Sequence, residues 1–228
     1  MNVTILLFDG LTALDAVGPY EVLWRVPGAE LEFVAADPGI KRTDNGGLVG
    51  LLAPIALADV TATDVLVIPG GFGTRALMHD AALLEWIRAV HATTTWTASV
   101  CTGSLLLGAA GLLDGLPATT HWAAMDKLAS TGAVPTASRV VEAGKILTAA
   151  GVSAGIDLAL TLASRLAGDD VAQAIQLSIE YDPQPPFDSG SIEKAPARIR
   201  ALVERKEASQ SDPFNKVSEV AASATPQG

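Results

Sequence analysis

The sequence lacks residues that stabilise or define several classes of protein. It has one cysteine in 228 residues, so it can form no internal disulfide, and one thiol alone cannot make a structural zinc site. Basic residues are also scarce, with 15 Lys and Arg against 25 Asp and Glu and a formal net charge of −10. This charge has the wrong sign for binding nucleic acid or acidic lipid surfaces. We therefore expect no nucleic acid partner, no metal and no other cofactor.

Long hydrophobic runs are missing as well. No segment approaches the roughly 18 consecutive apolar residues of a membrane-spanning helix, and the first residues lack the basic opening of a signal peptide. These absences predict a cytoplasmic protein that does not contact membranes. The chain does have 49% apolar residues and only 18% charged ones, which is ample material for a buried core.

Short apolar runs alternate with segments of helical periodicity along the chain. This alternation predicts an α/β protein with a doubly wound, mainly parallel sheet sandwiched by helices. Thr12 is expected to cap the first helix, and Gly18-Pro19 to break or kink it. The predicted strands cover 3–8, 31–36, 65–68, 96–100 and 146–148, the predicted helices cover 13–25, 81–91, 103–110, 153–166 and 171–179, and a hairpin arm is predicted around 45–52.

Cys101 lies where a predicted strand gives way to a predicted helix. A lone cysteine is usually a small buried hydrophobic residue, and that interpretation stays open here. In α/β sheets, however, ligands bind outside the carboxyl ends of the strands, and a sharp strand-to-helix turn presents nucleophiles there. The start of the helix is expected to lower the pKa of the thiol below its reference value of about 8.5, so that thiolate predominates at neutral pH.

A glycine-rich loop, Pro69–Gly73, follows the neighbouring predicted strand. Its simplest interpretation is an ordinary turn from a strand to a helix. It lacks the Gly-Lys-Ser/Thr ending of a phosphate-binding loop, which argues against a nucleotide. The functional interpretation is that the backbone amides of Gly71 and of Thr102, the residue after the cysteine, stabilise negative charge on the thiolate or on an intermediate.

Three further polar residues are candidates for the same site. Asp15 lies in the first turn of the first predicted helix, where an acid can also simply favour the helix dipole. His121 could orient or protonate a reacting group, or it could be a hydrogen-bonded core histidine. Asp157 lies inside an otherwise apolar helix, where a buried carboxylate needs partners, and we interpret it as structural.

Three motifs in a fixed order give a more specific indication. They are Pro69-Gly70-Gly71, Cys101-Thr102-Gly103 and Ala118-Thr119-Thr120-His121-Trp122. With these motifs the chain resembles the glutamine-amidotransferase-like superfamily that includes the intracellular protease PfpI. The resemblance implies a flavodoxin-like fold, and it covers about residues 1–197. We therefore predict one α/β catalytic domain over 1–197 and a C-terminal helical extension and tail over 198–228.

Within that superfamily the chain is most similar to the isocyanide hydratases. The similarity lies in Asp15 followed by Gly18-Pro19, in the segment 151–157 and in the arm 180–187. Isocyanide hydratases are homodimeric lyases that add water to an isocyanide and release an N-substituted formamide. The resemblance implies that Cys101 attacks this small-molecule substrate to give a thioimidate, with Asp15 as general acid and base.

The resemblance also suggests which residues surround the reacting atoms. Thr102 would act beside Cys101, and the residues expected to bind the substrate or its developing negative charge are Gly70, Gly71, His121 and Val152. Thr102 stands where protease-type members have a histidine, which argues against a peptidase. The acid expected near the thiol is Asp15, where many relatives use a Glu.

Two other functions fit the same motifs. A glyoxalase or deglycase that acts on small aldehydes would use the same thiolate. The ligand-sensing domain of a transcription regulator would contain similar motifs, but such regulators carry a DNA-binding helical domain after this one. The roughly 30 residues beyond position 197 and the acidic charge argue against that domain.

Overall fold

A computed structural model of the protein describes residues 1–210. These residues form eleven strands: β1 (Asn2–Leu6), β2 (Glu30–Ala35), β3 (Gly39–Arg42), β4 (Gly50–Ala53), β5 (Ile55–Ala56), β6 (Val65–Ile68), β7 (Trp96–Val100), β8 (Pro117–Ala118), β9 (Val134–Pro135), β10 (Val140–Ala143) and β11 (Ile146–Ala149). They also form eight α-helices: α1 (Ala13–Leu23), α2 (Thr74–Leu77), α3 (Ala81–Thr93), α4 (Gly103–Ala109), α5 (Met125–Ala129), α6 (Ala154–Ala167), α7 (Asp169–Ser178) and α8 (Ala197–Gln210). Two short 3-10 helices lie at Leu57–Asp59 and Trp122–Ala124.

Seven of these strands form one central sheet in the order β10-β11-β7-β6-β1-β2-β5. All neighbours in it are parallel except β10 and β11, which pair antiparallel across a tight turn. The middle strands are almost entirely buried because both of their faces are covered by helices. All four residues of β6, for example, are completely buried. The predicted fold class, a doubly wound and mainly parallel α/β sandwich, is confirmed.

The strands β3 and β4 form a separate antiparallel hairpin. The hairpin arm predicted around 45–52 corresponds to its turn and to most of β4, whereas β3 was not predicted. The base of this hairpin is fixed to the loop before α1. Leu11 pairs with Thr43 there, and the Gly10 amide donates a hydrogen bond of 2.7 Å to the Arg42 carbonyl oxygen. The hairpin is therefore connected to the helix that carries Asp15.

Helix α1 differs from the prediction, because it runs through Gly18 and Pro19 without a break. The physical reason is a tertiary contact with α6. A Cβ atom on Gly18 would lie 3.3 Å from Ile156 Cγ1, and one on Gly155 would lie 3.3 Å from Pro19 Cδ. Small residues on both helices thus permit a close packing that outweighs the helix-breaking tendency of proline.

The chain divides into two compact units, Met1–Tyr181 and Asp182–Gly228. The first unit contains the sheet, and the second contains α8. Our domain boundary after residue 197 stays a prediction, and most of the predicted extension and tail over 198–228 lies outside the described residues. No helix within residues 1–210 is both long and apolar enough to cross a membrane.

Candidate active site

Cys101 occupies a sharp turn between β7 and α4, and its φ angle is 55°. A positive φ is uncommon for a residue other than glycine and needs support from its surroundings. The Cys101 amide donates to the carbonyl oxygens of Ala149 at 3.0 Å and Ala150 at 3.1 Å. Its carbonyl oxygen accepts from the hydroxyls of Thr120 at 2.9 Å and Ser104 at 3.2 Å. The end of β11 and the Ala-Thr-Thr-His-Trp motif therefore hold the turn in place.

Asp15 projects from the first turn of α1 towards this cysteine. Its side chain is 0% exposed, and its Oδ2 accepts a hydrogen bond of 3.0 Å from the Gly70 amide. The other oxygen, Oδ1, is buried and makes no well-formed hydrogen bond in the structure. A carboxyl group in this position has one oxygen fixed by the backbone and one that can hold a proton.

Gly70 is required by this arrangement. A Cβ atom there would lie 2.5 Å from the Thr102 amide nitrogen and 2.8 Å from Asp15 Oδ2. Both distances are far below van der Waals contact. A side chain on residue 70 would therefore push apart the two segments that carry the acid and the thiol.

Asp15 and Cys101 change each other's acidity. Burial raises the pKa of Asp15 to about 7, although hydrogen bonds from the Gly70 amide and from Cys101 lower it. Burial also raises the pKa of Cys101, and the Asp15 charge raises it further, whereas the Thr102 amide and hydroxyl lower it. The prediction that the pKa of Cys101 lies below its reference value is wrong: the Thr102 amide at the helix start does lower it, but the loss of hydration of a thiol that is only 5% exposed outweighs this donor.

The pair therefore titrates as a unit. Two ionised groups would place two negative charges side by side in a buried site, which is strongly unfavourable. Once the pair has lost one proton, the remaining proton is shared between the Asp15 carboxyl group and the Cys101 sulfur. This is the state in which one group can act as an acid while the other acts as a nucleophile.

The structure differs from the prediction at Gly71. Its amide donates to the Thr102 hydroxyl at 2.9 Å, so that amide is directed at a side chain and not at the sulfur. The Gly70 amide instead supports negative charge in the site, at Asp15. Thr102 does act on the sulfur, since its backbone amide lowers the pKa of Cys101.

His121 and Val152 lie on the two segments that hold the Cys101 turn. The His121 ring packs on Gly151, where a Cβ atom would lie 2.3 Å from Cδ2, and beside Trp122 at 5.5 Å between ring centroids. Val152 is half-buried in the turn between β11 and α6. Their predicted contact with substrate stays a prediction.

Asp157 has the partners that a carboxylate in an apolar helix requires. Its Oδ2 accepts from Arg139 Nη2 at 2.6 Å and from the Tyr181 hydroxyl at 3.0 Å. This arrangement fits our structural interpretation of Asp157.

Sequence reasoning missed two polar residues near the pair, Asp44 and Thr74. The Thr12 hydroxyl donates to Asp44 Oδ2 at 2.7 Å and does not cap α1, and the Asp44 charge raises the pKa of Asp15. Asp44 lies far from Asp15 in sequence, so no local spacing could indicate this contact.

Among the described residues, no three His, Cys, Asp or Glu side chains are grouped to hold a metal ion.

Comparison with known proteins gives matches over most of the chain. A model of the DJ-1/PfpI family matches residues 1–165. Isonitrile hydratase from Pseudomonas putida is 46% identical over 199 residues, which are 87% of this chain and 86% of that protein. The HTH-type transcriptional regulator CdhR from Pseudomonas aeruginosa is 34% identical over 76% of this chain and 52% of the regulator.

A solved structure shows the same architecture. The crystal structure of a ThiJ/PfpI family protein from Pseudomonas syringae superposes with a TM-score of 0.88. The sequence identity is 36%, and the match covers 94% of this chain and 89% of the other. The similarity in sequence is thus accompanied by a similarity in fold over nearly the whole chain.

Proposed function

Because the chain belongs to the DJ-1/PfpI family, we propose that it is an isocyanide hydratase in which Cys101 is the nucleophile and Asp15 the general acid and base. The observation that carries this proposal is the buried Asp15–Cys101 pair at the strand-to-helix turn. Isonitrile is another word for isocyanide, and the 46% identity to isonitrile hydratase of Pseudomonas putida supports the substrate class.

The first step joins the sulfur to the substrate. The terminal carbon of an isocyanide accepts a nucleophile when a proton is delivered at the same time. Cys101 attacks that carbon, and the one proton that the pair shares passes from Asp15 to the substrate. The product is a thioimidate in which the former terminal carbon carries sulfur, hydrogen and a double bond to nitrogen, and Asp15 is left ionised.

The second step adds water. Ionised Asp15 takes a proton from a water molecule, whose oxygen attacks the thioimidate carbon, and Asp15 then passes that proton to the nitrogen. The hydroxyl of this intermediate then gives its proton to Asp15 as the C–S bond breaks, so the N-substituted formamide leaves and the pair regains its single shared proton. Over the cycle one isocyanide and one water become one formamide, so the residues return unchanged.

The direct test follows formamide formation from an aryl isocyanide with the purified full chain. We expect turnover by the parent protein and none by Cys101→Ala. A Cys101→Ala protein that hydrates the isocyanide at the parent rate would refute the role of the sulfur. Absence of turnover in a folded parent protein would refute the substrate class.

The same preparation tests the alternatives. Consumption of methylglyoxal without isocyanide hydration would favour a glyoxalase or deglycase, which needs the same sulfur. The similarity to the regulator CdhR makes a ligand-sensing domain the other candidate. Retarded migration of genomic DNA fragments on a gel in the presence of the protein would favour the ligand-sensing domain.

The homodimer and the cytoplasmic location are also proposals. Sedimentation of the purified protein tests the homodimer.

A further inference from the structure

The carbonyl oxygen of Gly71 has more hydrogen-bond donors around it than it can use. The Thr74 hydroxyl lies at 2.8 Å and the Thr74 amide at 3.2 Å. The Thr102 hydroxyl lies at 3.1 Å and Arg75 Nη1 at 3.4 Å. A carbonyl oxygen has two lone pairs. Thr74 can occupy both, so the hydrogen of the Thr102 hydroxyl is not needed at this oxygen.

The Thr102 hydroxyl oxygen is held in place independently of its own hydrogen. It accepts from the Gly71 amide at 2.9 Å and lies 3.1 Å from the Thr74 hydroxyl oxygen. The hydrogen can still turn about the Cβ–Oγ1 bond. The sulfur of the adjacent residue is a second candidate acceptor, because the Thr102 side chain lowers the pKa of Cys101 and so favours the ionised sulfur.

We propose that Thr74 is a positioning residue for the nucleophile: its hydroxyl holds the Gly71 carbonyl oxygen and so leaves the Thr102 hydroxyl free to donate to the Cys101 sulfur. In the thiol form the Thr102 hydrogen points to the Gly71 carbonyl. When the thiol proton moves to Asp15, the Thr102 hydrogen turns to the sulfur, and Thr74 keeps the carbonyl satisfied. The inference rests on the proposed role of Cys101 as a nucleophile but not on the identity of the substrate.

The charged groups around the sulfur are few in this part of the structure. Asp15 faces Cys101 from α1, and Asp44 on the β3–β4 hairpin acts on Asp15. The Arg75 guanidinium contacts the Gly71 carbonyl from α2, and His121 packs on Gly151. Thr74 itself is uncharged and completely buried, so its replacement changes hydrogen bonding without changing the charge of the site.

The test measures how fast iodoacetamide alkylates Cys101 in the full chain across a range of pH. Thr74→Val keeps the shape of the side chain and removes the hydroxyl, so the Gly71 carbonyl competes for the Thr102 hydrogen. We expect alkylation at neutral pH to slow by about threefold to tenfold, the range of one uncharged hydrogen bond, because the Thr102 hydrogen is shared with the carbonyl and not removed, and we expect the pH profile to move to higher pH. Thr74→Ser should restore both. Thr63→Val, which removes a buried hydroxyl that bonds to Asn2 and Val65, should leave both unchanged.

A double variant separates positioning from simple disruption. Since Thr74 acts through Thr102, adding Thr74→Val to Thr102→Val should cause no further slowing. If Thr74→Val does not fold, Thr74→Ala takes its place with the same expectation. An unchanged pH profile in the Thr74 variants, or equal defects in Thr74→Val and Thr74→Ser, would overturn the proposal. Because alkylation needs no isocyanide, these results stand apart from the turnover assay.

Discussion

At the scale of single residues, the site consists of one carboxyl group and one thiol that are both buried. The structure explains why these two residue types suit the proposed chemistry. Desolvation keeps a proton on a carboxyl group that water would ionise, and it raises the pKa of Asp15 to about 7. A proton is therefore available at neutral pH beside a sulfur that can attack.

The Asp15→Asn variant tests this division of roles. Asn fills the same volume and can still accept from the Gly70 amide, but it cannot exchange a proton. We expect the variant to fold, to be alkylated at Cys101, and to lose isocyanide turnover by at least about a hundredfold, the usual contribution of a positioned acid or base. The measurement is turnover beside the alkylation rate of the same sample. Turnover at the parent rate would show that the acid and base lie elsewhere.

Sequence reasoning could identify these two residues because each has a local signal. Cys101 follows a predicted strand and precedes a predicted helix, and Asp15 lies in a first helical turn. The role of Gly71 could not be predicted, since it depends on the Thr102 hydroxyl that its amide meets. The acidity of Cys101 was predicted in the wrong direction, because the extent of burial follows from tertiary packing.

At the scale of elements, the β3–β4 hairpin extends the site beyond the helices. The Thr12 hydroxyl bonds to Asp44 Oδ2, and the Asp44 amide donates to the Leu11 carbonyl oxygen at 2.9 Å. These contacts place a second carboxylate behind Asp15, where its charge raises the pKa of that residue. The hairpin thus contributes an electrostatic influence that α1 alone would lack.

Replacement of Asp44 with Asn removes this influence and keeps the contact with Thr12. Since a neighbouring negative charge opposes ionisation of Asp15, its removal should lower the pKa of Asp15. Activity that depends on the loss of the first proton from the Asp15–Cys101 pair should then increase at a lower pH in Asp44→Asn than in the parent protein. The check is the pH dependence of kcat/KM for isocyanide hydration. Asp37→Asn, which removes an exposed charge in the turn before β3, is the matched control and should leave the profile in place.

The elements themselves were predictable where a long apolar pattern specifies them. The strands β1, β2, β6 and β7 and the helices α3 and α6 lie within a few residues of their predicted positions. The short elements α2, α5, β8 and β9 have too few residues to show a period. The continuity of α1 through Pro19 could not be predicted, because it depends on the surface of α6 that packs against it.

At the scale of the whole molecule, the burial of Asp15 lowers the stability of the protein at neutral pH. Asp15 is buried by the same packing that forms the sheet and its helices, so ionising it in the folded protein is costly. Its pKa is 3.8 in its ordinary state and about 7 in the folded protein. Between these values the unfolded chain has lost a proton that the folded protein keeps. The free energy of unfolding therefore falls as pH rises through this window, and it levels off above it.

The difference between the parent protein and Asp15→Asn isolates this contribution. Well below pH 3.8 Asp15 is neutral in both the folded and the unfolded chain, so its contribution to the free energy of unfolding is fully present. This contribution is lost as pH rises through about 7. From about pH 5 to about pH 8 the parent should lose roughly 3 kcal/mol relative to the variant. Urea unfolding at several pH values measures this difference. The Cys101→Ala protein should retain the slope, because burial and not the thiol is the first cause of the shift. Parallel stability curves for the parent and Asp15→Asn would mean that Asp15 is ionised throughout, and the proton that the proposed first step needs would then be absent.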